Sequence, residues 1–149
     1  MRESAGVVSD PVPKLLLERL VPSPPRKVFE AWLDAEALRR FMCPAPGSWV
    51  SRAECDPRVG GKFLIVMNVG GRDIAHSGEY LEIERYTRIV FTWRSPTAGE
   101  GSRVTLRFAD APGGQTQLIL EHEGLPDAEV RSDHHSGWSH ILMELSALD

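Results

Sequence analysis

The chain has 149 residues, 42% of them apolar, and a formal net charge of −4, which suits one domain with a real core. The acidic balance, with no basic stripe, excludes a nucleic-acid binder, and no apolar run approaches the roughly 18 residues of a membrane span. Cys43 and Cys55 lack any framework of spacings and read as reduced thiols, which fits a cytoplasmic protein.

Residues 1–13 lack a positive region followed by an apolar one, so no secretory signal is expected and the segment reads as a flexible lead-in. A single domain is expected over 14–149. KLLLERL, 14–20, predicts a first strand. Ser23 as cap and Pro24 at the first helical position then open a helix with Val28, Phe29, Trp32 and Leu33 at helical spacing. Asp34 caps a second short helix whose apolar face is Leu38, Phe41 and Met42, and CPAPGSW, 43–49, reads as a loop.

From Gly60-Gly61 the period becomes two. Strands are predicted over 61–69, 76–84, 88–94, 102–108 and 115–123. Ile89, Phe91 and Trp93 share one face, as do Val104, Leu106 and Phe108, and then Leu118, Leu120 and His122. Gly78 marks a bulge or a close approach. Turn signals at 68–71, 96–101 and 111–114 give short connections, hence an antiparallel meander. From Asp127 the period changes again: Val130, His134, Trp138, Ile141, Leu142, Leu145 and Leu148 form one stripe of a helix of about 20 residues. Gly137 inside it costs about 1 kcal/mol and predicts a close approach to another backbone.

This order implies an α+β domain in which a curved antiparallel sheet wraps around the long C-terminal helix. Each hides the other's apolar face, and the short helices are expected to hold one end open over an apolar cavity. Candidate lining residues are Trp32, Phe41, Phe63, Ile65, Met67, Tyr80, Phe91, Trp93, Leu106, Phe108, Leu120, His122, His134 and Trp138.

The segments VFEAWLDAEALRRFM, GGKF at 60–63, GEYLEI at 78–83, IVFTWR at 89–94, TQLILEHEGL at 116–125, and Gly137-Trp138 preceded by His134, taken in order, carry a family likeness. Over residues 14–149 the chain resembles the START-like, birch-pollen-allergen-like (SRPBCC) helix-grip superfamily, in the branch named after the activator of the ninety-kilodalton heat-shock protein's ATPase. The resemblance implies the helix-grip fold. It also implies functions as varied as co-chaperone and stress response, lipid carriage and aromatic cyclisation.

The stretch DHHSGWSH, 133–140, raises the question of chemistry. His134, His135 and His140 are spaced by one and by five, which places no two imidazoles on one helix face, so no metal site is expected. His134 shares its stripe with Trp138 and should face the sheet, while His135 and His140 should face solvent. The pattern leaves the facing of His76 open. His122 and His134 read first as half-buried, hydrogen-bonded residues, second as groups that orient a ligand, and third as an acid or base. No catalytic residue is assigned, for no nucleophile–base–orienter set is visible. The four tryptophans, Trp32, Trp49, Trp93 and Trp138, read as core area. No cofactor is implied. The function expected is binding of a small hydrophobic or aromatic ligand by a monomer or homodimer. The alternatives are a module that binds a chaperone or other protein, and a cyclase, dehydratase or hydrolase using a cavity histidine.

Overall fold

The computed structural model describes residues 13–148, so the predicted lead-in lies outside the described residues except for Pro13. In chain order the elements are β1 (Leu15–Val21), α1 (Pro25–Ala31), α2 (Ala35–Phe41), β2 (Trp49–Cys55), β3 (Lys62–Val69), β4 (Arg72–Glu84), β5 (Arg88–Ser95), β6 (Gly99–Ala111), β7 (Gln115–Glu123) and α3 (Ala128–Ser146). The strands make one curled antiparallel sheet in the order β1-β7-β6-β5-β4-β3-β2. The two short helices carry the chain from one sheet edge to the other, and the meander brings it back to pair β7 with β1. The fold is the α+β arrangement that the periodicities imply and the helix-grip fold that the resemblance implies.

Local chemistry explains the helix ends. Asp34 accepts a hydrogen bond from the Ala37 amide at 3.0 Å, and Asp127 accepts one from Val130 at 2.9 Å, so both aspartates are caps. The first helix starts differently from expectation. Pro24 is the extended cap residue and Pro25 the first helical one, with no side-chain cap bond from Ser23. Proline fits there because an amide hydrogen at that place has no helical acceptor to lose.

The sequence pattern misses β2 entirely. Its only buried side chains are Val50 and Ala53, three residues apart, because the register shifts between Val50 and Arg52. That bulge breaks the two-residue period by which a strand is recognised. Trp49, at the start of this edge strand, is 55% exposed and is not core. Gly78 is required where it stands: a Cβ there would lie 1.9 Å from the Thr92 carbonyl and 2.7 Å from the Phe63 ring.

The helix α3 buries Trp138, Ile141, Leu142 and Leu145. At roughly 1.5–3 kcal/mol for each buried large side chain, this face outweighs the cost of Gly137. Gly137 does not meet another backbone, as expected of it; a Cβ there would meet only the Pro44 Cβ at 3.5 Å. No helix among the described residues is long and apolar enough to cross a membrane.

Candidate functional site

All fourteen predicted lining residues turn inward. Trp32 ends α1 and Phe41 lies on α2; the strands contribute Phe63, Ile65 and Met67 (β3), Tyr80 (β4), Phe91 and Trp93 (β5), Leu106 and Phe108 (β6), and Leu120 and His122 (β7). His134 and Trp138 descend from α3. Every one is buried except half-buried His134. Their rings tile against one another: Trp93 meets Trp138 with centroids 4.9 Å apart, Trp32 meets Phe41 at 5.0 Å, and Phe63 meets Phe91 at 5.3 Å.

This tiling fills the hollow expected under α3. The space left is about 10 Å³, walled by Trp32, Phe63, Ile65, Tyr80, Phe91 and Trp93 together with Leu38 and Met42 of the α2 segment. Leu38 and Met42 were placed on an apolar helix face by their spacing, but nothing in the sequence set that face against the sheet. A space of this size holds on the order of one water, whereas ligand sites usually measure about 300–1,000 Å³.

One polar network crosses the aromatic core. The Trp138 Nε1–H donates to His122 Nδ1 at 3.0 Å. The indole can only donate, so His122 carries its proton on Nε2 and donates from there to Ser102 Oγ, 3.0 Å away. Ser102 in turn donates to the Trp93 carbonyl at 2.7 Å. A parallel pair lies nearer the rim: Trp93 Nε1–H donates to His134 Nε2 at 3.4 Å, and His134 Nδ1–H donates to the Val130 carbonyl at 2.9 Å. His122 is therefore neutral, with its tautomer fixed by the tryptophan donor.

The network settles what Ser102 and His122 can do. Their contact resembles the nucleophile–base half of a hydrolytic triad. Yet the nitrogen facing the hydroxyl already holds the proton, and the opposite nitrogen faces an indole N–H where a triad has an orienting acceptor. His122 cannot take the Ser102 proton in this arrangement. Sequence reasoning missed Ser102; its only signal is an inward, buried serine on a strand whose other inward residues are apolar.

Burial, with a smaller contribution from His134, pushes His122 down to about 3. His76, whose facing the sequence left open, lies tilted by 34° against Trp93 with ring centroids 5.0 Å apart. Burial, again with help from His134, pushes it down to about 4. Its Nδ1 has no partner among the described residues. Tyr80 makes a long bond to the Trp32 carbonyl at 3.5 Å, and burial first, then Cys55 beside it, holds its phenol well above the usual range. Tyr80 and His122 thus make their bonds to different partners. Trp32 Nε1 is buried with no acceptor among the described residues. Burial also raises the thiols of Cys43 and Cys55, which are free and half-buried, so neither is an activated nucleophile.

His135 is exposed as predicted, but His140 is not turned to solvent: its Nδ1 donates to the Cys43 carbonyl at 2.7 Å. That bond ties α3 to the loop after α2. Among the described residues no three His, Cys, Asp or Glu side chains are grouped so as to hold a metal.

The comparisons agree with this architecture. A protein of Chromobacterium violaceum is 32% identical, with a TM-score of 0.79 over 90% of this chain and 94% of that one. An AHSA1 protein of Silicibacter pomeroyi is 30% identical, with a TM-score of 0.72 over 91% of this chain and 96% of that one. A protein of Plasmodium falciparum, described as an HSP90 activator, is 28% identical, with a TM-score of 0.70 over 89% of this chain and 92% of that one. No curated protein matches the sequence. The family model for Activator of Hsp90 ATPase homolog 1-like protein matches residues 22–148, nearly the whole described structure, and the chain belongs to that family.

Proposed function

We propose that the protein binds a small hydrophobic or aromatic molecule bearing one hydrogen-bond acceptor, held between the sheet and α3. The observation that carries this reading is Trp32 Nε1, a buried N–H of a residue that walls the residual space, with no acceptor among the described residues. Leaving such a donor unpaired costs about 1–3 kcal/mol, and native interiors seldom do so without a partner in some state. A ligand carbonyl or ether oxygen would supply the acceptor. The surrounding rings would supply affinity through burial, as in other largely apolar sites. Admission requires the space to widen. The movable wall is Leu38 and Met42, because α2 is only seven residues long while the opposite wall is continuous sheet. The free thiols fit a cytoplasmic setting.

The test uses prodan, an uncharged naphthyl ketone whose emission shifts to the blue in apolar surroundings. The wild-type protein should take it up saturably. Trp32→Phe, which keeps a ring and removes the N–H, should weaken binding about tenfold, the worth of one well-placed hydrogen bond. Trp138→Ala should weaken it further. Absence of uptake by the wild type, or equal affinity in both variants, would overturn the reading.

A second reading, a chaperone-binding module, is favoured by the description of the similar Plasmodium protein as an HSP90 activator. It predicts that the protein stimulates the ATPase of that chaperone and that Trp32→Phe leaves the stimulation unchanged. The enzymatic alternative, a cyclase, dehydratase or hydrolase, would need His122 or His134 to release one of its two bonds.

A further inference from the structure

A wider space than the one left among the core rings lies elsewhere on the described chain. It is a groove of about 650 Å³ on the outer side of the short helices, bounded by the end of β1, by α1 and α2, and by the last turn of α3. Its floor is apolar: Val28, Leu33 and Leu145 are buried there, and half-buried Ala31, Ala37 and Leu148 line its sides. Four cations line it, Arg26, Lys27, Arg40 and Arg85, against two carboxylates, Glu30 and Asp34.

The two carboxylates are already engaged. Glu30 lies 3.9 Å from Arg26, and Asp34 caps α2. Arg26 is further occupied by the Tyr86 ring, 5.7 Å from its guanidinium. Lys27, Arg40 and Arg85 are exposed and make no ion pair among the described residues. A chain of net charge −4 therefore carries a locally cationic groove over an apolar floor. Long basic side chains suit such a place, since their methylene stems cover apolar surface while their heads stay in water. Low-dielectric walls concentrate the field of the heads inside the groove.

We infer that this groove is a second binding site, separate from the one under α3, and that it takes a small amphipathic anion: a carboxylate head with a short alkyl or aryl tail. Its volume lies within the range of sites for small molecules. Lys27, Arg40 and Arg85 hold the head by charge-assisted hydrogen bonds. The tail covers Val28, Leu33 and Leu145. The interior site cannot serve the same ligand, because a carboxylate there would be desolvated with no cation beside it.

Octanoate, 1-octanol and octyltrimethylammonium, compared by titration calorimetry, test the inference. Octanoate should bind one per chain, and octanol at least about tenfold more weakly, the head-group ion pairs being worth that factor or more. The ammonium compound should not bind. The triple variant Lys27→Gln, Arg40→Gln and Arg85→Gln alters exposed positions only; its circular dichroism should match the wild type. It should lose octanoate binding at least about tenfold while leaving octanol unchanged, and raised salt should mimic it. Trp32→Phe should bind octanoate as the wild type does, and prodan should not compete with it, so failure of the interior site leaves this one standing. Equal binding of octanoate and octanol, undiminished octanoate binding in the triple variant, or competition by prodan would each overturn the inference.

Discussion

Mild acid is the sharpest probe of the buried histidines. His122 is wholly buried, accepts from Trp138 and donates to Ser102, so a second ring proton would set one N–H against another. Its affinity for protons falls to about 3 in the folded chain, and that of His76 to about 4, against about 6.5 unfolded. Between those limits the unfolded chain binds protons that the folded chain refuses. Stability is therefore complete above about pH 6.5 and falls as pH falls, by up to about 1.4 kcal/mol per pH unit for each histidine. From pH 7.5 to 5, His122 alone accounts for about 2 kcal/mol by this linkage. His76 is half-buried, so water screens its share, and the pair together removes about 3 kcal/mol. That is a large part of the roughly 5–15 kcal/mol that holds a domain folded. Urea unfolding followed by tryptophan fluorescence at pH 7.5, 6.5, 5.5 and 5.0 measures it. The midpoint should drop steadily below pH 6.5, and His76→Gln should make the drop shallower. A flat profile over this range would show that the histidines are not held neutral by their surroundings, and the tautomer argument against a Ser102–His122 base would fall with it.

Two glycines give opposite predictions from one kind of measurement. Gly137→Ala adds a methyl that meets only Pro44 at van der Waals distance, so it should stabilise the protein by about 1 kcal/mol through helix propensity alone. Gly78→Ala drives a Cβ into the Thr92 carbonyl and the Phe63 ring, and should destabilise by about 2–3 kcal/mol through forced displacement of sheet backbone. Equilibrium denaturation distinguishes the two signs; a destabilising Gly137→Ala would mean that Pro44 cannot give way.

The sequence by itself determined the periodic parts. Alternation on β5, β6 and β7 marked their buried faces correctly because each of these strands keeps one face to the core without interruption. Asp34 announced its helix because capping is a contact between residues three apart. The stripe from His134 to Leu145 placed Trp138 toward the sheet for the same local reason. Tertiary structure alone decided the rest. Strand β2 escaped because a bulge puts Val50 and Ala53 on one face out of period. Ser102 meets His122 across a strand pair, and Arg85 comes from far along the chain to line the same groove as Lys27 and Arg40. The volume left among the core rings depends on how eight side chains, from α2 and its cap, β3, β4, β5 and the end of α1, fit together. Periodicity reports which way a side chain points. It carries no information about the distance to what it will meet, and packing, tautomers and cavities are set by that distance.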